Sequence, residues 1–347
     1  MSPDLPGVSF VLPVLDGERW LAPVLDAVLA QDDGRPFEVL IIDDGSHDDS
    51  RAIAERFLET GRARLVEGPG RGAAAALNLG ISQARHPLVA QVDQDVILDP
   101  GWLALLAAEL DEPSVAAAQG YYRTDPTAPL WERIAGRELE TRYARIRARE
   151  VDHVCTGNSL YRAEALRQVG LFDESMGYGY DNDMSYRLAA AGHRLVFCRQ
   201  ARSVHRWRRG LVPYLRQQYG LGYGRLDLVA KHPQRLAGDQ VSGLGMILHV
   251  PIMLGVLAAA GISVALAASG MPWSGSALLA LGLLALLMAE RAVVGIRAAV
   301  RFSDLAGLLL PLAHVARDLA WVAALLTWAA RRLTGRRPSP GQSMDPG

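Results

Sequence analysis

The sequence predicts an α/β domain with a largely parallel sheet, followed by a helical region suited to a membrane. In the first hundred residues, short apolar runs typical of buried strands alternate with segments whose apolar residues recur at helical spacing. Such alternation is the pattern of a mostly parallel sheet. After residue 240 the composition changes, and the apolar stretches that follow reach the length of a bilayer span.

Four strands organise the first part of the chain. They are predicted at Val8–Leu12, Phe37–Ile42, Arg64–Glu67 and Leu88–Val92, with helices between them, and Pro13 is expected to end the first strand. Ligands of such sheets bind at the carboxyl ends of the strands. Polar residues directly after these strands are therefore candidate site residues.

Composition excludes several classes of function. The 347 residues carry a formal net charge of −1, so no general basic field favours a nucleic acid, and we expect no such partner. Cys155 and Cys198, the two cysteines, form neither a disulfide framework nor a zinc ligand set, which fits a reducing compartment. Residues 1–7 lack the basic segment and apolar core of a signal peptide, so we expect any catalysis on the cytoplasmic side.

Two acidic clusters follow predicted strands. Asp93 and Asp95 come directly after the fourth strand, and such a pair can hold one divalent cation that also binds a diphosphate. The alternative is that Asp95 begins a turn and caps the helix near Gly101. Asp43-Asp44 follows the second strand, where a carboxylate could accept hydrogen bonds from a ribose or a base, or could belong to an ordinary turn.

Other polar features lie outside these clusters. The turn Gly68–Gly72 can bring backbone amides close to a phosphate, with Arg71 as an ion-pair partner. Asp181 lies at the start of a predicted helix, where it is either a functional carboxylate or an N-cap. His205 is either structural or part of a metal site. The segment Leu130–Glu150 is predicted as a helix whose Arg and Glu side chains form a solvated face.

These segments, in this order, resemble the inverting family 2 glycosyltransferases, which have the GT-A fold, a mixed-sheet nucleotide-diphospho-sugar transferase domain. The resemblance covers about residues 6–210 and is carried by the ordered series of motifs. The matching segments are Val8–Val14, Glu38–Ser46, Asn78–Gly80, Val92–Asp95, Gly157-Asn158, Gly170–Glu174, Asp181 with Arg187-Leu188, and His205.

The resemblance implies a role for each matching residue. On the donor side, Asp44 would contact the nucleotide base, with Pro13 beside it. Asp93 and Asp95 would form the DxD pair that binds Mn²⁺ or Mg²⁺ together with the donor diphosphate, and Asp95 would be the firmer metal ligand.

Further matching positions concern the acceptor and the metal. Asp181 would be the catalytic base that takes the proton of the acceptor hydroxyl, a task suited to a positioned carboxylate. Gly157 and Asn158 would line the acceptor side, and His205 would complete the metal ligands.

The chain departs from the family pattern at several positions. Leu15 replaces an aromatic residue that would stack on the base, and Leu77 replaces an arginine on the phosphate side, for which Arg71 is the candidate substitute. Tyr180 replaces the acidic neighbour of the base. The Gln-x-x-Arg-Trp signature of polymerising members is absent, so we expect the addition of a single sugar.

The C-terminal part has the composition of a membrane region. Leu244–Ala268 is long enough to span a bilayer, Ser276–Ala289 is shorter, and Leu305–Ala330 carries Arg317 and Asp318 at its centre. Three spans would place the arginine-rich end outside, against the positive-inside rule, whereas two spans and an interfacial segment would keep it inside. The Tyr- and Arg-containing stretch that precedes these helices is expected to lie along the membrane face.

Together these observations predict residues 1–210 as a catalytic domain, 211–240 as an interfacial connector, 241–333 as two or three transmembrane helices and 334–347 as a disordered tail. We expect metal-dependent transfer of one sugar from a nucleotide-diphosphate sugar to a lipid-linked acceptor at the inner membrane. The arrangement is similar to bacterial exopolysaccharide transferases of the succinoglycan type. The alternatives are a nucleotidyltransferase and a non-catalytic membrane module that retains a transferase domain.

Overall fold

The computed structural model describes residues 5–207, 209–241 and 243–335, and the contacts among them define two compact units. The sheet unit consists of the described residues up to Asp125 together with Tyr143–Trp207. The helical unit consists of Pro126–Arg142 and the described residues from 209 to 335. Pro126–Arg142 thus belongs with the C-terminal helices, although it lies between two parts of the sheet unit in sequence.

The described part of the sheet unit contains nine strands in one mixed sheet with the order β3-β2-β1-β4-β8-β6-β9-β5, and β7 pairs with β9. Strands β1 to β4 are parallel, whereas β8 runs antiparallel to both β4 and β6. The strands are β1 Val8–Val14, β2 Phe37–Asp43, β3 Ala63–Glu67, β4 Leu88–Val92, β5 Val96–Leu98, β6 Val115–Arg123, β7 Glu150–Val151, β8 Asn158–Arg162 and β9 Arg194–His205.

Helices follow most of these strands. They are α1 Leu21–Leu29, α2 Ser50–Leu58, α3 Ala73–Gln83, α4 Trp102–Glu109, α5 Leu130–Tyr143, α6 Ala163–Gln168, α7 Tyr180–Ala190, α8 Leu211–Lys231, α9 Leu244–Ala268, α10 Ser274–Phe302 and α11 Leu310–Thr334, with short 3₁₀ turns at Pro233–Arg235 and Leu305–Leu309. All seven residues of β1 are buried, as expected for a central strand covered on both faces. The predicted α/β domain followed by long apolar helices is confirmed.

Pro13 does not end the first strand, which was a wrong prediction. β1 continues to Val14, and Pro13 lies beside Ile42 of β2. On its other side, the pairing of β1 with β4 ends at Val11. Proline lacks the N–H that a strand interior needs, and here the ladder with β4 has already ended before the proline. Pro13 therefore lies at the carboxyl edge of the sheet, where the strand is paired on one side.

The predicted helix Leu130–Glu150 ends earlier and has a different environment from the expected one. α5 ends at Tyr143, and Glu150 begins β7. Its charged residues Glu132, Arg137 and Glu138 are buried and not solvated. Arg137 pairs with Asp304 at 2.9 Å, and other helices of the helical unit supply similar partners. A sequence pattern shows the charges of a helix but not the counter-charges that face it.

In the helical unit, three helices have the length and composition needed to cross a membrane, namely Gly245–Ala268, Ser274–Phe302 and Leu305–Thr334. The second is longer than the predicted span because α10 continues through Glu290-Arg291. The predicted connector contains the long helix α8. Of the predicted disordered tail, Thr334 closes α11, and residues 336–347 lie outside the described part of the chain.

Candidate active site

The sheet places Asp93 at the carboxyl end of β4, beside the loop that enters β8. The Asp93 N–H donates to the carbonyl oxygen of Gly157 at 3.3 Å. Gly157 has φ +86°, and a Cβ atom at this position would lie 2.1 Å from Asp93 Oδ2. Both the backbone conformation and the space therefore require glycine here. Gly157 forms part of the wall against which the Asp93 carboxylate rests.

Asp95 and His205 come together because β5 pairs antiparallel with the end of β9. Val96 lies opposite His205 in this pairing, and Asp95 Oδ1 is 3.7 Å from His205 Nε2. The backbone N–H of Arg206 also donates to the Asp95 carbonyl at 2.8 Å. The structure thus brings two predicted metal ligands into contact through a strand pairing that the sequence does not reveal.

Aromatic rings fix the orientation of His205. The Trp207 ring lies over the imidazole with centroids 4.1 Å apart and planes tilted by 30°, and Tyr122 meets it edge-on at 5.4 Å. Arg206 extends over the Trp20 ring at 4.6 Å. Tyr122, Trp207 and Trp20 were not identified from the sequence, since only the β6–β9 pairing and the loop after β1 place them around His205.

Asp93 lies in an environment that disfavours a negative charge. Burial raises its pKa to about 7, with further contributions from the charges of Asp95 and Asp181, while His205 acts in the opposite direction. A carboxylate under such repulsion favours either a proton or a cation beside it. Oxygen ligands of this kind suit Mg²⁺ or Mn²⁺.

Among the residues that the structure describes, no three His, Cys, Asp or Glu side chains are grouped so that they could hold a metal ion. The predicted set of Asp93, Asp95 and His205 is therefore not assembled as a complete site. Two carboxylates and one imidazole still fit a divalent cation that keeps several positions for water and substrate phosphates, which is the usual arrangement for Mg²⁺.

Asp181 lies in the first turn of α7 and is not its N-cap. The cap position is Gly179, in a left-handed conformation. Asp181 Oδ1 accepts a hydrogen bond from the Asn182 N–H at 2.9 Å, and Asp181 Oδ2 is 3.5 Å from His153 Nε2. Burial raises the pKa of Asp181, but the hydrogen bond and charge of His153 together with the Asn182 amide lower it below its ordinary value. Asp181 is therefore ionised at neutral pH.

Asp44 is buried at the end of β2, where it holds the glycine turn. Its carboxylate accepts hydrogen bonds from the N–H groups of Gly70 at 2.7 Å and Gly72 at 2.8 Å. Burial raises its pKa, and these amides act in the opposite direction. Arg71, in the same turn, is exposed and pairs with Glu174 at 3.0 Å. Asp44 therefore positions the turn that carries Arg71.

Gln94, the middle residue of the DxD pair, was overlooked in the sequence. Its side chain accepts a hydrogen bond from the Leu15 N–H at 2.8 Å and donates one to the Leu15 carbonyl at 2.9 Å. This amide therefore ties the loop after β1 to the segment that carries Asp93 and Asp95. The position of Gln94 between two acidic residues does not indicate in the sequence that its side chain contacts the loop after β1.

Asn158 does not present its side chain to an acceptor, contrary to expectation. It is fully buried, and its Oδ1 accepts a hydrogen bond from the Trp102 indole at 2.5 Å. The reason is that Asn158 begins β8 at a position that faces the sheet core, opposite Val92. Its side chain therefore links the start of β8 to α4.

Comparisons with known proteins concern the family and the fold of the chain. The family model described as Glycosyl transferase family 2 matches residues 9–170. An uncharacterized glycosyltransferase of Mycobacterium tuberculosis (strain ATCC 25618 / H37Rv) is 33% identical over 192 residues, which cover 54% of this chain and 82% of that protein. The pre-mycofactocin glycosyltransferase of the same strain is 27% identical over 258 residues, and this chain spans 53% of its length.

A solved structure shows the same fold. The mannosyltransferase PcManGT from Pyrobaculum calidifontis, in complex with GDP-Man and Mn²⁺, aligns with a TM-score of 0.60 and 18% sequence identity over 93% of this chain and 87% of that chain. At this identity the likeness concerns the fold alone. The chain therefore belongs to glycosyltransferase family 2, with a GT-A domain followed by long apolar helices.

Proposed function

We propose that this protein transfers a single sugar, with inversion, from a nucleotide-diphosphate sugar to a lipid-linked acceptor. The observation that carries the proposal is the placement of Asp93, Asp95 and Asp181 around one edge of the sheet, close enough for their charges to act on one another. Asp93 and Asp95 suit a metal ion bound to a diphosphate. Asp181 is ionised and suits the role of general base.

On the donor side, the proposal assigns the diphosphate to the segment Asp93–Asp95 and the nucleotide to the ends of β1 and β2. Pro13 and Asp44 lie at the carboxyl ends of these two strands, and Arg71 projects from the turn that Asp44 holds. Arg71 is available to a phosphate because its contact with Glu174 is an exposed ion pair, which contributes little stability. Bound Mn²⁺ or Mg²⁺ would offset the negative charge that develops on the departing diphosphate.

On the acceptor side, Asp181 takes the proton of the acceptor hydroxyl while its oxygen attacks the anomeric carbon. The new carbon–oxygen bond forms on the face opposite the breaking bond to the diphosphate, so the configuration inverts. His153 holds the Asp181 carboxylate and lowers its pKa, which keeps it ready to accept the proton. General base catalysis by a positioned carboxylate contributes about 10²–10⁴-fold.

The lipid-linked acceptor is proposed from the long apolar helices of the same chain. A transferase with such helices can reach an acceptor whose lipid lies in the bilayer. We accordingly propose the cytoplasmic face of the inner membrane as the location. Assembly of a cell-surface polysaccharide or glycolipid, as in exopolysaccharide transferases of the succinoglycan type, is the corresponding role.

The test is turnover of nucleotide sugars by the detergent-purified full chain. UDP-, GDP- and dTDP-sugars would be supplied with Mn²⁺ or Mg²⁺ and a bacterial lipid extract, beside Asp95→Asn, Asp181→Asn and, as a control on the exposed side of α1, Asp26→Asn. We expect metal-dependent release of nucleoside diphosphate that Asp26→Asn retains and the other two variants lose.

Other outcomes would favour other functions. Transfer of the nucleotide in place of the sugar would indicate a nucleotidyltransferase. Nucleotide binding without turnover, unchanged in Asp181→Asn, would indicate a non-catalytic module. Turnover on soluble but not lipid-linked acceptors would refute only the acceptor class.

A further inference from the structure

The helices α8 and α11 of the helical unit run side by side in the same direction. The hydroxyl of Tyr214 lies 3.4 Å from the Ala313 carbonyl at the start of both helices. Further along, the Trp321 indole reaches Gln218 at 3.3 Å, and the Trp328 indole donates to Asp227 at 2.8 Å. The residue numbers of these contacts increase together along both helices, so α8 and α11 lie side by side for roughly 30 Å.

The two members of this pair are more polar than the stretch from residue 250 to residue 289, which covers most of α9 and the first half of α10. α8 carries Arg216, Arg225, Asp227 and Lys231, whereas residues 250–289 contain no charged side chain. The apolar windows of α9 and α10 have mean hydropathies of 2.3 and 2.1, and that of the third candidate helix is 1.5. The partner of α11 is thus a helix that by itself would not enter a bilayer.

A membrane-spanning α11 would take α8 into the hydrocarbon with it. Arg, Lys and Asp side chains near the centre of a span strongly disfavour insertion into a bilayer. The chain would then have to return from Lys231 to the start of α9 through residues 232–243, which contain only a single 3₁₀ turn among the described residues. Lipid-exposed irregular backbone of this kind does not occur within the hydrocarbon region.

The outer face of α11 has the pattern of a helix that lies at a membrane surface. Its most exposed leucines recur every seventh residue, and Ala323 and Ala330 lie exposed between them. The leucines are Leu312, Leu319, Leu326 and Leu333, which we call the leucine stripe. At the end of α11, Arg331 lies over the Tyr223 ring at 5.4 Å and Arg332 over the Trp328 ring at 4.5 Å. An apolar stripe with aromatic and basic flanks is typical of interfacial helices.

A buried polar network marks the level at which the hydrocarbon would begin. His249 of α9 contacts Asp318 of α11 at 2.9 Å and Arg291 of α10 at 3.0 Å, and Asp318 also pairs with Arg317. From this network to the end of α9, residues 250–268 rise roughly 28 Å. That rise matches a hydrocarbon core of about 30 Å.

The surface of α9 and α10 between the polar network and the turn that joins these helices is apolar, as a location in the hydrocarbon core requires. Large exposed side chains on this part of α9 and α10 include Leu257, Ile262, Val264, Leu278, Leu279 and Leu281. α11 meets this hairpin through its first half, where Val322 packs with Met253, Val256 and Leu287. α8 accompanies α11 along both of its halves, from Ala313 to Trp328.

We infer that α9 and α10 form a two-span hairpin and that α11 does not cross the membrane. The α8–α11 pair instead lies in the interfacial layer on the side where α9 enters, with the leucine stripe immersed at the boundary of head groups and acyl chains. Arg291, Arg297, Arg301 and the Arg331-Arg332 end then share one side of the membrane, as the positive-inside rule requires. The partner of this surface is the lipid bilayer itself, and the inference does not depend on the proposed sugar transfer.

Depth measurements by spin labelling test this arrangement. Leu312→Cys, Leu319→Cys, Leu326→Cys and Leu333→Cys would each be made in the full chain with Cys155→Ala and Cys198→Ala, labelled with a nitroxide, and placed in phosphatidylethanolamine–phosphatidylglycerol vesicles. Successive positions are roughly 10 Å apart along the helix. We expect similar, shallow depths at all four, judged from the accessibility of the label to oxygen and to a water-soluble nickel complex.

Labels on α9 provide the matched control, since Leu254, Leu257 and Ile262 are exposed in the same way. Their depth should rise along the helix to the bilayer centre. A depth that rises and falls along the leucine stripe would overturn the inference and establish a third span. Shallow labels on α9 would overturn the hairpin. Spin–spin broadening at Leu319→Cys and Leu326→Cys, with low oxygen accessibility, would show that a second copy covers the stripe.

Reporter fusions give an independent check that needs no labels. A fluorescent protein at the C-terminus should fold in the cytoplasm, and alkaline phosphatase at the same position should be inactive. The same reporters inserted at Met271, in the exposed turn between α9 and α10, should behave in the opposite way. Active phosphatase at the C-terminus would refute the inference.

Discussion

Gly157 offers the sharpest test of the site, because a single methyl group there acts directly on a proposed metal ligand. In Gly157→Ala the new Cβ atom would lie 2.1 Å from Asp93 Oδ2 and 2.4 Å from its Cγ. Gly192→Ala is a matched control, since Gly192 has φ +88° against +86° at Gly157 and open space around its Cβ position. Both variants carry the same backbone strain, and only one displaces the carboxylate.

The magnitudes follow from these two terms. An L-residue in the left-handed region costs roughly 1–2 kcal/mol of stability in both variants, and overpacking against Asp93 should cost Gly157→Ala about 1–3 kcal/mol more. Ordinary contact for a Cβ atom begins near 3.4 Å, so in Gly157→Ala the Asp93 carboxylate must move by more than ~1 Å. A displacement of this size in a catalytic arrangement costs about 10²-fold in rate. We therefore expect kcat to fall about 10²-fold in Gly157→Ala and less than about twofold in Gly192→Ala.

The assay is metal-dependent release of nucleoside diphosphate, measured across a titration of Mn²⁺, with thermal unfolding of both variants in detergent beside it. Gly157→Ala should also need more Mn²⁺ for half-maximal rate. If the two variants lose the same stability and keep the same activity, Asp93 is not a ligand of consequence. The proposed role of Asp93 would also be contradicted if Gly157→Ala lost activity only because it unfolds, with a stability loss far beyond that of Gly192→Ala.

Further expectations concern pH, metal and the Gln94 contact. In His153→Gln the pKa of Asp181 should rise because the positive charge of His153 is lost, so the acidic limb of the kcat–pH profile should move to higher pH while the rate at alkaline pH stays unchanged. Because the pKa of Asp93 is about 7, protons should compete with the cation below that pH, and the apparent Kd for Mn²⁺ should increase about tenfold per pH unit as the pH falls further. Chelation should abolish turnover and Mn²⁺ should restore it. Gln94→Leu should raise the donor KM about tenfold through loss of two hydrogen bonds to Leu15. Gln94→Glu keeps the acceptor, so its KM should lie between those of the unchanged protein and Gln94→Leu. Equal KM values in all three proteins would contradict this role of Gln94.

Local pattern was enough to predict the strands and the acidic residues that follow them. An apolar run such as Leu88–Val92 is buried because of its own composition, and a strand that ends in Asp93 must place that carboxylate at an edge of the sheet. Pro13 was misjudged for a non-local reason, since its tolerance depends on where the neighbouring strand β4 ends. The charged face of α5 was misjudged in the same way, because the partner Asp304 lies far along the chain.

The residues that complete the site were beyond prediction because each depends on a contact between distant segments. His153 precedes β8 in an irregular stretch, and only the packing of α7 beside it reveals a partner for Asp181. Gln94 looks like a spacer until the loop after β1 is placed next to it. The pairing of β5 with β9 likewise determines what His205 can contact. Such pairings are set by the whole sheet and not by any window of sequence.

The proposed roles of Asp93 and Asp181 illustrate why the geometry of a site must be known before its function is assigned. Asp93 and Asp181 are the same residue type, and both are partly buried near one another, yet their pKa values move in opposite directions. Burial and the neighbouring negative charge of Asp95 raise the pKa of Asp93, which leaves this carboxylate in need of a cation or a proton. Asp181 lies beside His153, which supplies a donor and positive charge. Two groups whose pKa values are driven apart in this way can serve as metal ligand and base at the same pH, which is the combination that the proposed inverting transfer requires.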